Sequence, residues 1–260
     1  MKQYIDRTYR HHFRHDRWHY FTVTYKETDL CIGVDAGSWL KEMYDWTNSF
    51  VIELRNQMDT WIANHPTYAQ SLVPCETESE APAIFRQMVE ASRKSGIGPM
   101  SAVAGAVAQY TGRALQEHFC IQEIMVENGG DIYINLCEDA DISVFAGSSP
   151  LSERVGLHIH AADTPLGICT SAGTVGPSFS FGKADAVMIV CKDTLLADTY
   201  ATAFANRIQT QEDISPCIEQ VKSTADILGA ITIKDDTMGI CGKFELKIFQ
   251  KKRYEYRTII

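Results

Sequence analysis

The segment Ala197-Asp198-Thr199-Tyr200-Ala201-Thr202-Ala203 reads as helix, and its spacing sets Asp198 and Thr202 on one face, four residues apart. A carboxylate beside a hydroxyl is a hard-oxygen pair. It suits Mg²⁺, which takes one or two carboxylates and keeps waters and substrate phosphates. The competing reading is structural: Asp198 complements the helix N-terminus and Thr202 fills a helix face. A second block, Thr170-Ser171-Ala172-Gly173-Thr174-Val175-Gly176, offers backbone N–H groups and three hydroxyls that can form an anion nest, or a solvated loop between strands. A third, Glu127-Asn128-Gly129-Gly130-Asp131, is a strong hairpin signal. Its two glycines also let a ligand ring or phosphate approach the backbone. A fourth, Gly98-Pro99-Met100-Ser101-Ala102-Val103-Ala104-Gly105, opens a helix whose free N–H groups face a phosphate or whose small residues pack on another backbone.

Histidines crowd the beginning of the chain at 11, 12, 15 and 19. His11 and His12 would face opposite ways on a strand, so a solvated arm is the better reading. His158 and His160 would share a strand face, but the sequence names no third ligand for a metal. No histidine follows His160, so the last hundred residues hold no histidine base. The eight cysteines are scattered and form no CxxC pair, a pattern of reduced thiols rather than a disulfide framework or zinc site. There is no GxGxxG, GxSxG or HExxH motif, and Gly182-Lys183 has Pro177 where a P-loop needs its first glycine.

The elements that must position these blocks follow from periodicity. Residues 17–25 and 30–34 read as a hairpin broken at Glu27-Thr28-Asp29. Trp39, Met43, Trp46, Phe50, Leu54, Met58 and Trp61 recur at helical spacing, predicting a long amphipathic helix that ends near Pro66. Its aromatic stripe faces the core or a second copy of the chain. Ser79 is the expected cap, with Pro82 in the first turn, of a helix running to Ser95, and a small-residue helix is expected over 100–119. Strands are expected at 123–127, 132–136, 142–145, 155–159, 167–170 and 186–191. Asp193 or Thr194 should cap a helix to about Ile208. A short helix over 212–223 and two or three closing strands complete the chain. Many hairpins with partly segregated helices favour an α+β fold with antiparallel sheet, and no linker forces a domain boundary.

The chain has 260 residues, 45% hydrophobic and 22% charged, with a net charge of -9. That length buries a full core as one domain, 1–260. The acidic balance argues against nucleic acid and anionic membranes as partners. The uncharged stretches 95–112 and 164–182 carry Gly, Pro, Ser and Thr, so neither predicts a transmembrane helix. Met1-Lys2-Gln3-Tyr4-Ile5-Asp6 lacks an apolar run, so no signal peptide is expected, and a cytoplasmic location follows.

Taken in order, the four blocks, with Tyr25-Lys26-Glu27-Thr28-Asp29-Leu30 and Ser180-Phe181-Gly182-Lys183-Ala184-Asp185-Ala186-Val187, resemble the ApbE-like superfamily. Its best-known members are FAD-dependent flavin transferases, and the chain looks most like an uncharacterised family within it. The resemblance implies a T-fold-related α+β architecture of antiparallel sheets with packed helices. It implies Mg²⁺ held by Asp198, Thr202 and the backbone carbonyl of Ala102. It also implies a flavin nucleotide, FAD or FMN, lying along Gly129, Gly130, Asp131, Thr170, Ser171 and Gly173. This chain departs from the transferases in two places: Gly105 stands where they carry a lysine, and 177–182 lacks their histidine. Two functions are therefore expected in competition, Mg²⁺-assisted FMN transfer and a non-catalytic module for a flavin, pterin or purine.

Overall fold

The computed structural model describes residues 17–174 and 180–249. His11, His12, His15 and the stretch Val175 to Phe179, with its part of the glycine-rich block, lie outside them.

Strands β1 (Trp18–Tyr25) and β2 (Thr28–Asp35) form the expected hairpin, turned at Lys26 with φ 54°. Strands β3 (Ile124–Asn128), β4 (Asp131–Asn135), β7 (Leu166–Ser171), β8 (Ala186–Cys191), β9 (Ile227–Lys234) and β10 (Thr237–Gly242) extend it. The result is an eight-stranded sheet in the order β1-β2-β3-β4-β7-β8-β9-β10, every neighbouring pair antiparallel. A second sheet, β11-β6-β5, contains β5 (Ala140–Ser143), β6 (Val155–Ile159) and β11 (Glu245–Ile248).

The large sheet is covered on both faces, and its side-chain alternation sorts the core. In β8, Ala186, Met188 and Val190 face the small sheet with Leu157, Ile159 and Phe244. Val187, Ile189 and Cys191 face α5 (Thr194–Ala205) and α6 (Ile214–Lys222). At the other end, Leu30, Ile32, Ile124 and Val126 pack under α1 (Glu42–Asn64), α3 (Ala83–Ser95) and α4 (Val103–His118). The short helix α2 (Pro66–Gln70) follows α1. The molecule is thus three layers: helices, large sheet, small sheet. This is the α+β antiparallel fold expected. Among the described residues no helix is long and apolar enough to cross a membrane.

Several boundaries differ from expectation for local reasons. Trp39 precedes α1, where it stacks on His19 at 3.8 Å. Ser79 caps nothing: α3 starts after Pro82, whose fixed φ suits a helix entrance, and no side chain caps it. The helix expected from Met100 opens instead as a 3₁₀ turn, Pro99–Ala102, before α4. The strand expected at 142–145 lies at Ala140–Ser143, and α5 ends at Ala205 rather than Ile208. The aromatic stripe of α1 packs inward. Trp61 stacks on Phe85 at 4.3 Å, and Trp46 stacks on Phe50 and His118.

One ion pair ties the entry of the chain to the rest. Arg17 donates from Nε and Nη2 to the two carboxylate oxygens of Glu123, both at 2.7 Å. Glu123, only 4% exposed, also accepts the N–H groups of Cys137 and Glu138. Removing one member of such a pair leaves a desolvated charge behind. Glu123→Ala is expected to lower stability by about 3–5 kcal/mol in urea denaturation. Removing the exposed partner of Asp59, by Lys26→Ala, should change it far less, because water screens that pair. Equal losses would contradict this account of the two pairs.

Candidate functional site

The site is built where the start of α4 meets α5. Asp193 caps α5, its Oδ1 accepting from Leu196 N at 3.1 Å. Gln109 of α4 holds the same helix start, accepting from Thr194 N at 2.9 Å. One turn further along α5, Asp198 turns its carboxylate into α4, and its Oδ2 accepts from Gly105 N at 2.8 Å. The contact needs glycine: a Cβ at residue 105 would lie 2.6 Å from the Thr194 carbonyl oxygen and 2.9 Å from the Asp198 Cβ. This is the physical reason for glycine where the resemblance carries a lysine. No side chain fits there while α5 keeps its place.

Asp198 is 6% exposed. Burial pushes its pKa up to about 7, against the pull of the Gly105 and Ala104 N–H groups, which favour the charged form. Ala102 ends the 3₁₀ turn just before α4 and is buried. Thr202, one turn after Asp198 and part-exposed, points its Oγ1 toward Ser171 Oγ at 3.5 Å, the outer limit of a hydrogen bond. The expected oxygen pair therefore shares a face of α5, and Ser171 of the glycine-rich block stands opposite it.

The Gly-Gly turn sits at the same end of the sheet. Asn128 pairs with Asp131, leaving Gly129 and Gly130 as a two-residue hairpin loop with φ of 71° and 104°. Gly130 donates to Glu127 Oε1 at 2.8 Å, and its carbonyl accepts from Thr170 N at 3.1 Å. Asp131 pairs with Cys169 in the β4–β7 ladder. Burial and the nearby carboxylates of Asp131 and Asp198 raise the Cys169 thiol well above its ordinary pKa, keeping it protonated. Gly173 is exposed, and its N–H donates to Ala184 O at 2.8 Å, so that amide already has a partner.

The structure thus places Asp198, Thr202, Ser171, Thr170, Gly130 and Asp131 along one seam between α5, α4 and the ends of β4 and β7. Sequence reasoning missed three supports of that seam. Asn128 Nδ2 donates to the Ala104 carbonyl at 3.1 Å, so the hairpin residue also fixes the start of α4. Thr199 Oγ1 bridges Ser95 Oγ and Ser101 Oγ, each at 2.7 Å, locking α3, the 3₁₀ turn and α5 together. Cys169 closes the floor. Asn128, Ser101 and Thr199 lie inside blocks already singled out, but nothing in the sequence marked them as partners of one another or of Ser95.

Residues 10–235 match the family described as AbpE bacteria. The chain belongs to this family. A UPF0280 protein from Methanocella arvoryzae is 36% identical over 208 residues, covering 80% of this chain and 84% of its own. A UPF0280 protein from Methanocaldococcus jannaschii is 31% identical over 241 residues, covering 91% and 96%. Among solved structures, the apo flavinyl transferase ApbE from Pseudomonas stutzeri superposes with a TM-score of 0.56 at 13% identity, covering 91% of this chain and 95% of its own. A mutant of the flavin transferase ApbE from Vibrio cholerae gives 0.54 at 12% identity, covering 86% and 96%. At those identities the likeness is one of fold.

The raised pKa of Asp198 has a stability consequence. Between about pH 4 and pH 7 the folded protein keeps a proton on Asp198 that the unfolded chain releases. The stability this group contributes is full below about pH 4, falls as pH rises through the window and levels off above about 7. Asn can still accept from Gly105 but does not titrate. Subtracting the denaturation profile of Asp198→Asn from that of the metal-free parent should leave a difference that moves in the variant's favour from pH 4 to 8. Parallel profiles would mean that Asp198 is charged throughout.

Proposed function

We propose that this protein binds a flavin nucleotide together with Mg²⁺ at the seam between α4 and α5. Asp198, Thr202 and the Ala102 carbonyl would hold the ion. Gly129, Gly130, Asp131, Thr170, Ser171 and Gly173 would line the nucleotide. The observation that carries this reading is Asp198 itself. A buried carboxylate with backbone N–H groups as its partners is poorly compensated, and a cation at its free edge would compensate it. The donor set of one carboxylate, one hydroxyl and one carbonyl fits Mg²⁺, which shuns crowded protein cages and leaves positions for water and phosphate. The fold shared with flavin transferases and the order of the blocks along the chain support the choice of ligand.

When bound, Mg²⁺ would neutralise charge on the phosphates of the nucleotide. The chain's own residues do the rest. The Gly129-Gly130 turn is open to solvent at Gly129 and carries no side chain to hold a ring or phosphate away. The hydroxyls of Thr170 and Ser171 are half-buried and available to phosphate oxygens. With Asp198 given to the ion, Asp131 is the remaining seam carboxylate and the candidate for accepting a proton there.

A second reading, binding without transfer, is favoured by where the histidines are. Among the described residues His19, His65 and His118 stack on Trp39, Trp61 and Trp46, and His158 and His160 lie on the small sheet. None of these is placed to deprotonate an acceptor hydroxyl at the seam.

Thermal shift assays against FAD, FMN, a pterin and GTP, each with and without Mg²⁺, test both readings. A ligand at a hundred times its Kd adds about 2.7 kcal/mol of stability. The expected result is a Mg²⁺-dependent shift with FAD that Asp198→Asn abolishes. AMP released from FAD with FMN covalently attached to the acceptor protein would establish transfer, whereas FAD bound and left intact would favour the module. A shift with the pterin or GTP alone would reassign the ligand, and no shift with any of them would overturn the proposal.

A further inference from the structure

His158 and His160 acquire from the fold the third ligand that their spacing alone did not supply. In β6 Leu157 and Ile159 point into the core, so His158 points outward, and His160 follows on the same side. Antiparallel pairing sets Asp141 of β5 opposite His158, which brings Asp139, just ahead of β5, between the two rings. Asp139 Oδ2 lies 2.9 Å from His160 Nδ1 and 3.4 Å from His158 Nε2. One ligand atom from each of the three residues falls within 4.8 Å of the others. Donors around a tetrahedral ion with bonds of about 2.0–2.1 Å stand about 3.3 Å apart.

The remaining polar atoms aim these three. His158 Nδ1 is 2.7 Å from Asp141 Oδ1, and Lys247 holds the other oxygen of Asp141 at 2.8 Å. With its Nδ1 proton given to Asp141, the His158 ring presents a lone pair at Nε2, which is how metal-binding histidines are commonly oriented. Asp139 Oδ1 accepts from Ala161 N at 2.8 Å, which fixes the carboxylate with Oδ2 toward the rings. All three ligands reach solvent, so an ion can enter directly.

We propose that Asp139, His158 and His160 form a binding site for a divalent transition-metal ion of the Zn²⁺ class, oriented by Asp141 and separate from the Mg²⁺ seam. Two imidazole nitrogens and one carboxylate oxygen select Zn²⁺ or Co²⁺ over Mg²⁺, and they leave a fourth position for water or an outside ligand. The site lies on the outer face of the small sheet, with the large sheet between it and Asp198. The ion would link the start of β5 to the end of β6.

The test uses the full-length, untagged, metal-free chain in millimolar Mg²⁺, titrated with Co²⁺ and followed by visible absorption, with Zn²⁺ as competitor. The expected result is one saturable equivalent with a tetrahedral spectrum that Zn²⁺ displaces. It should persist in Asp198→Asn and in the triple variant His11→Asn, His12→Asn, His15→Asn. It should vanish in His158→Asn with His160→Asn, whose metal-free form should stay folded because both rings lie on the outward face, away from the core. Asp141→Asn should bind about 10–100-fold more weakly. Absence of saturable binding would overturn the proposal. So would retention by the His158/His160 variant, or loss in the 11, 12, 15 variant, which would place the ion elsewhere.

Discussion

A single buried carboxylate governs how the helix layer meets the sheet. Asp198 lies inside α5, yet its hydrogen bond goes to the opening turn of α4. A helix start carries unpaired N–H groups and a partial positive charge, so an anion from a neighbouring element satisfies both needs. The exchange works only at close range, and close range needs Gly105. From that contact α5 is fixed in rotation as well as position. Ala197 and Ala201 face β7 and β8, Thr199 reaches Ser95 and Ser101, and Thr202 is left beside Ser171. Rotating α5 by one residue, about 100°, would carry Asp198 and Thr202 together away from Gly105 and Ser171.

The large sheet divides the molecule chemically as well as mechanically. Its helix side presents oxygen donors: a carboxylate, hydroxyls, carbonyls and the Gly-Gly turn. Beyond the small sheet the chain presents imidazoles and carboxylates. Hard cations with phosphates suit the first set and borderline transition metals suit the second. Because β6 and β8 alternate strictly, the residues that make the core also decide which chemistry reaches which surface.

What the sequence made legible follows one rule: local periodicity was readable and convergence was not. Strands β6 and β8 lie where their apolar runs placed them, because a strand buried on one or both faces must show that pattern. Asp198 and Thr202 share a face because four residues make about one helical turn. The Ser79 cap failed because Pro82 makes a competing helix entrance three residues later. The hydroxyl bridge from Ser95 to Thr199 spans over a hundred residues, and nothing local marks it. Asp139 was equally hidden. It joins the histidines only through the antiparallel register of β5 on β6, and register depends on the whole sheet rather than on any segment.

The departure at residue 105 bears on function as well as packing. A side chain at that point would push α5 away and break the contact between Asp198 and the start of α4. Glycine brings only a backbone N–H. The Asp198 carboxylate is then held in place without having its charge neutralised, which is why burial wins over hydrogen bonding and its pKa rises. Such a group favours either a proton or a divalent ion, and the two compete. With glycine at 105, the proposed cation binding at this seam would compete with a proton on Asp198 and so would depend on pH. Flavin chemistry at this seam, as proposed, would depend on pH through that competition, although among the described residues no histidine lies there.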